Sequence, residues 1–275
     1  MKKNKLRQIW AEGRPVLHGW LSIPCSFSAE IMAAQAYDAI SIDIQHGAVD
    51  YKDVLGMFQA MRASDVVIMA RVPWLDPSWI MKVLDAGAYG IICPMINTRA
   101  QAEQFVRYLR YPPLGERSFG PTRAAYPAGA NYAAEANDEI LGFAMIETAE
   151  AMANLEEIAS TPGLDGIYVG PADLAFSLSR GELTPAFDRE EPEVIEAIKT
   201  ILAACHRHGK KAALHCGTPE YAARAIEWGF DMTTVSGDTR LLAAASAQSV
   251  ATWRNLTAGA VEPKATAQNV KKEAY

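Results

Sequence analysis

Glu147 closes an apolar run at 140–146, and Asp173 follows a second run at 167–169 within Gly170-Pro171-Ala172-Asp173. Two carboxylates therefore end consecutive strand-like segments. Carboxylate oxygens are hard ligands suited to Mg²⁺ or Mn²⁺. From sequence alone, a pair of capping or ion-paired acids has the same pattern. His46 leaves another apolar run in Asp43-Ile44-Gln45-His46-Gly47, where it can act as a general base, ligate a metal or serve as a satisfied structural residue. Asp85, in Val83-Leu84-Asp85-Ala86-Gly87, is an acid at the negative end of a predicted helix and needs a partner. It could orient the imidazole as an Asp–His dyad. Arg71 ends the run Met69-Ala70-Arg71, and its forked donors suit a carboxylate or an enolate oxygen. Backbone amides opening a helical turn in Gly170–Leu174 form a second anion-binding element. A short 2-oxo acid would engage both.

These residues need a scaffold that brings several strand ends to one mouth. Short apolar runs at 16–23, 39–44, 66–71, 90–94, 142–147, 166–169, 211–215 and 232–235 read as strands. Amphipathic stretches at 28–35, 51–63, 78–86, 99–108, 149–160, 193–208, 219–228 and 238–255 read as the helices between and after them. Gly87, Gly209 and Gly229 punctuate helix ends. Eight strand–helix pairs predict a (β/α)₈ TIM barrel, whose chemistry sits at the carboxyl ends of its strands. The predicted domain spans 1–257, with 258–275 as a C-terminal extension. The rhythm breaks at 111–139 and 176–191, and long barrel loops commonly carry function.

Composition is compatible with one large core. The chain has 275 residues, 50% hydrophobic and 21% charged. A net charge of -6 argues against nucleic acid as a partner. Cys25, Cys93, Cys205 and Cys216 lack metal-ligand spacing and suit a reducing compartment. With no run of signal-peptide or membrane-spanning length, the expectation is a cytoplasmic protein that does not engage a membrane.

The residues resemble, as a set, the metal-dependent class II pyruvate aldolases of the HpcH/HpaI type, which include 4-hydroxy-2-oxoheptanedioate and 2-keto-3-deoxy sugar-acid aldolases. The resemblance runs in order over roughly 15–255: Ile42-Asp43-Ile44-Gln45-His46-Gly47, Arg71-Val72-Pro73, Leu84-Asp85-Ala86-Gly87-Ala88, Cys93-Pro94-Met95, Arg110-Tyr111-Pro112-Pro113-Leu114-Gly115, Ile146-Glu147-Thr148 and Val169-Gly170-Pro171-Ala172-Asp173-Leu174. It implies that Glu147 and Asp173 bind a divalent cation (Mg²⁺, Mn²⁺ or Co²⁺). It further implies that His46 is a base oriented by Asp85, and that Arg71 polarises the keto oxygen. The backbone at Ala172-Asp173 would hold a pyruvate carboxylate, and the reaction would release or consume an aldehyde. Oxaloacetate decarboxylation is the implied side activity. The family expectation is a homo-hexamer whose neighbouring subunits complete the site, with Arg117 or Arg123 acting in trans.

Two departures stand out. Gln45 occupies the position before the histidine where the family most often has Glu, and Met145 stands where Gln usually precedes the metal-binding Glu. Two other readings remain: a citrate-lyase-like CoA-ester lyase, and a metal- or keto-acid-binding barrel with weakened catalysis. A Schiff-base mechanism lacks a lysine at a strand's carboxyl end. Trp20 and Trp74 adjoin strand ends, where they pack the core or line an aldehyde pocket.

Overall fold

The structure, a computed structural model, describes residues 1–258. Eight parallel strands close into a barrel in chain order, β1 (Val16–Leu21), β2 (Ala39–Asp43), β3 (Val67–Arg71), β4 (Gly90–Cys93), β5 (Leu141–Ile146), β6 (Gly166–Val169), β7 (Lys211–Cys216) and β8 (Met232–Val235). The first strand pairs with the eighth. The helices are α1 (Lys5–Ala11), α2 (Ser26–Ala33), α3 (Tyr51–Met61), α4 (Pro77–Ala86), α5 (Arg99–Leu109), α6 (Ala125–Ala128), α7 (Tyr132–Glu139), α8 (Ala149–Ala153), α9 (Leu155–Ala159), α10 (Pro171–Leu178), α11 (Pro192–Arg207), α12 (Pro219–Trp228) and α13 (Asp238–Thr257). This is the (β/α)₈ barrel that the strand–helix rhythm predicts.

Local chemistry sets the helix ends. Asp50 with Asp53 and Thr98 with Gln101 form capping boxes on α3 and α5. Asp76-Pro77 and Thr218-Pro219 start α4 and α12. Gly87 and Gly229, at φ 114° and 110°, end those two helices in a conformation that a side chain would oppose.

The structure refines the rhythm where it breaks. Residues 111–139 hold α6 and α7, and α1 precedes the first strand. The predicted helix at 149–160 divides at Asn154, whose side chain donates to the Asn97 carbonyl at 2.8 Å. α10 runs on to Leu178, so the irregular segment after β6 is 179–191.

Two apolar layers flank the strands. Val16, Met69, Leu141, Phe143 and Met232 fill the barrel interior with its other inward residues, and a larger set packs strands against helices. The chain divides into two compact units, Met1–Asp238 and Thr239 onward. Of the expected C-terminal extension, 259–275 lie outside the described residues. Among the described residues, no helix is long and apolar enough to cross a membrane.

Candidate active site

Strand alternation turns every second side chain into the barrel. Trp20, Asp43, Arg71, Met145, Tyr168 and His215 follow this inward phase on six strands, and all are buried.

Asp43 and Arg71 are register partners on β2 and β3. Arg71 Nε donates to Asp43 Oδ1 at 3.0 Å and Nη2 donates to Oδ2 at 2.7 Å, the bidentate geometry that a guanidinium favours. Trp20 covers this pair. Its ring centroid lies 4.9 Å from Arg71 Cζ, and its Nε1 donates to Asp43 Oδ2 at 3.3 Å. Backbone N–H groups of Gln45 and His46 donate to Asp43 Oδ1, each at 3.2 Å. One carboxylate thus orients the arginine and folds the turn bearing His46. Burial pushes the Asp43 carboxyl up, but the Arg71 hydrogen bonds and charge outweigh it and hold it below its ordinary value. Among the described residues, the Nη1 end of Arg71 has the Met145 sulfur as its hydrogen-bond partner, at 3.9 Å.

Glu147 stands one residue beyond β5 and is 2% exposed. Its Oε1 accepts the Met95 N–H at 2.8 Å. Met95 has φ 56°, an uncommon conformation for a side-chain-bearing residue, of the kind that clusters at functional sites. Burial, with the Asp173 charge, pushes the Glu147 carboxyl up to about 7 against the opposing Met95 N–H and Arg71. Asp173 lies exposed in the first turn of α10. Between them, a Cβ at Gly170 would fall 2.6 Å from both Glu147 Oε2 and Met145 Cε, so a side chain there would displace both side-chain ends. A buried carboxylate without an ion-pair partner among the described residues, beside a second carboxylate, is short of positive charge. The oxygen donors fit a hard divalent cation. Among the described residues no three His, Cys, Asp or Glu gather into a metal cluster, so the chain itself offers two carboxylates.

His46 is exposed beyond the carboxyl end of β2. The expected Asp85–His46 pair is not formed within this chain among the described residues. Asp85 instead accepts Arg117 Nη2 at 2.7 Å, and the same nitrogen reaches the Tyr132 hydroxyl at 3.0 Å. Topology explains the difference: Asp85 sits in the last turn of α4, which returns the chain to the amino end of β4, whereas His46 follows a carboxyl end. The helix-end acid has the partner its dipole position calls for, and that partner is Arg117. Burial raises the Asp85 carboxyl despite this cation.

Several interior residues were not singled out from sequence. Tyr168 Oη lies 3.0 Å from His215 Nδ1 and hydrogen-bonds with Thr234 Oγ1. His18 Nδ1 lies 2.7 Å from Thr234 Oγ1, and its Nε2 lies 2.8 Å from Ser41 Oγ. Burial pushes His18 down to about 3, so this imidazole is neutral at ordinary pH. Asp43 completes the missed set. The available signal was polar residues in the inward phase of otherwise apolar strands.

The HpcH/HpaI aldolase/citrate lyase family model matches residues 20–245. The chain belongs to the HpcH/HpaI family. It is 44% identical over 253 residues to a hydroxypyruvate/pyruvate aldolase of Rhizorhabdus wittichii, covering 92% of this chain and 100% of that protein. It is 33% identical to a 4-hydroxy-2-oxo-heptane-1,7-dioate aldolase of Escherichia coli, covering 95% and 98% of the two chains. The crystal structure of an HpcH/HpaI aldolase/citrate lyase family protein from Burkholderia cenocepacia has a TM-score of 0.84 at 32% identity, over 92% of this chain and 100% of that one. Citrate lyase structures are similar in fold at greater distance. In this HpcH/HpaI chain both departures noted above lie near the site. Met145 touches Arg71 through sulfur. The buried Gln45 Oε1 has no hydrogen-bond partner among the described residues.

Proposed function

We propose that this chain is a metal-dependent aldolase that reversibly cleaves 4-hydroxy-2-oxo acids to pyruvate, or a close analogue, and an aldehyde. The carrying observation is a guanidinium fixed on Asp43 that reaches Met145 on β5, two residues before the buried Glu147 carboxylate. Glu147 and Asp173 would hold Mg²⁺, Mn²⁺ or Co²⁺, which when bound would polarise the substrate's keto group.

The protein's own groups have separable tasks. Arg71 Nη1 donates to the keto oxygen and neutralises the charge that develops there in the enolate. The N–H groups of Ala172 and Asp173 precede the first α10 hydrogen bond, from Leu174 N–H to the Gly170 carbonyl, and they receive the substrate carboxylate. In cleavage, His46 accepts the proton of the C4 hydroxyl while the C3–C4 bond breaks. The aldehyde leaves, and the enolate carbon takes a proton to give the 2-oxo acid. Addition runs these steps in reverse, with His46 carrying the methyl proton away. Trp20 holds Arg71 and Asp43 in place and closes that side from water. Oxaloacetate decarboxylation passes through the same enolate and is the proposed side activity.

The enzyme is cytoplasmic, with one barrel domain over 1–257, and assembles as a homo-hexamer with neighbouring subunits completing the site. Exposed Phe27, Ile31, Trp253 and Leu256 support assembly. The test is NMR detection of pyruvate methyl exchange in D₂O, with chelator and then with each metal restored. Metal-dependent exchange is expected. Folded protein that exchanges with none of the metals would defeat the proposal.

A further inference from the structure

The segment 179–191 carries no helix or strand, yet it is fixed at several points. Asp188 Oδ1 accepts the Gly217 N–H at 2.6 Å, and Oδ2 accepts the Thr218 hydroxyl at 2.7 Å. Arg189 is buried, donating to Glu191 at 3.0 and 2.6 Å and to the Thr184 carbonyl at 2.7 Å. The Tyr221 hydroxyl donates to the Arg189 carbonyl at 2.8 Å. These anchors tie the segment to the turn after β7 and to α12, immediately after Phe187.

Phe187 consequently lies against the active-site wall. Its ring is 4.5 Å from the His215 ring, which meets Trp20 edge-on at 4.8 Å, and Trp20 covers Arg71. Three rings in succession connect the fixed segment to the guanidinium. Tyr168 steadies the His215 ring through Nδ1. The register aligns Ile146, Val169 and Leu214 across β5, β6 and β7. The next layer therefore contains Glu147, Gly170 and His215. Gly170 has no side chain, so the wall borders the same opening as the Glu147 carboxylate. A 2-oxo acid held at Arg71, Glu147 and the α10 amides leaves its reacting carbon and the incoming aldehyde to occupy this opening.

We propose that Phe187, held by Asp188 and backed by His215, is a specificity residue that restricts the acceptor to short aldehydes. This rests on the aldolase reading above. A longer acyl chain would have to displace a ring that is itself packed against a ring and anchored through the next residue. Misfit of a single methylene in a pocket changes discrimination by roughly 10- to 200-fold.

The experiment uses the full-length, metal-loaded enzyme with pyruvate as donor and compares kcat/KM for acetaldehyde and hexanal. Wild type should favour acetaldehyde. Phe187→Ala should move the hexanal-to-acetaldehyde ratio upward by at least about tenfold. Phe187→Leu should move it part of the way, and it carries the test if the alanine variant fails to fold. Asp188→Ala should shift the ratio in the same direction by releasing the anchor. An unchanged ratio in folded Phe187 variants, or an equal loss for both aldehydes, would overturn the assignment and leave Phe187 a packing residue. Pyruvate methyl exchange by wild type, which needs no acceptor, separates this failure from failure of the aldolase reading itself.

Discussion

Replacing Glu147 by Gln should stabilise the metal-free protein at alkaline pH while removing its response to metal. Burial and the Asp173 charge push Glu147 up to about 7 from the ordinary 4.5. Each pKa unit is worth about 1.4 kcal/mol, so keeping this group ionised costs the metal-free fold about 3 kcal/mol. The sign follows from proton counting. Below the unfolded value both states are protonated and the cost vanishes; between 4.5 and about 7 the folded state holds the extra proton; above about 7 the full cost applies. Lowering the pH from 8 to 5 therefore favours the folded wild type through this group. Glutamine removes the charge and can still accept the Met95 N–H. In chelator at pH 8, Glu147→Gln should melt roughly 6–12 °C above wild type, taking ~2–4 °C per kcal/mol for a chain of this size. By pH 5 the difference should shrink to that of about 1 kcal/mol. Adding Mg²⁺ or Mn²⁺ should then raise the Tm of wild type and leave the variant in place. Thermal melts at both pH values, with and without metal, provide the assay. A variant that melts at or below wild type at pH 8, or by the same margin at both pH values, would refute the reasoning.

Arg71→Lys should lower kcat/KM by about 10²–10³, nearly as much as Arg71→Ala, because an ammonium cannot engage both Asp43 oxygens and still present a fixed donor to substrate; a mild kinetic loss would reduce Arg71 to charge balance. Asp43→Asn should destabilise the fold by about 3–5 kcal/mol through the unpaired buried guanidinium. Urea unfolding measures this, and retention of wild-type stability would show that Arg71 finds another partner. His46→Ala should retain metal and pyruvate binding by calorimetry while slowing methyl exchange by about 10²–10⁴. Full exchange in that variant would remove His46 from the proton path.

The eight-strand rhythm was legible because strand and helix patterns are local. Period-2 alternation, capping pairs such as Thr98 with Gln101, and glycines such as Gly87 act within a few residues. The same locality put Glu147, Arg71 and Asp173 at or just beyond predicted strand ends, and it marked Gly170–Leu174 as a helical opening whose amides can bind an anion. It also left α7 hidden within an apparently irregular stretch, since a short helix with little apolar periodicity has no strong local signature.

Partners were another matter. Asp85 needed a counter-charge by its helix position, and only the folded chain supplies Arg117, 32 residues away. Asp43 gains its role from strand register with Arg71, and His18 meets Thr234 across 216 residues of sequence where β1 closes on β8. Phe187 reaches His215 through anchors on a different loop. Sequence periodicity specifies which way a side chain points on its own element. Barrel closure, register and burial decide what it meets there, because hydrogen bonds, charge and desolvation act through distances that exist only after the strands close.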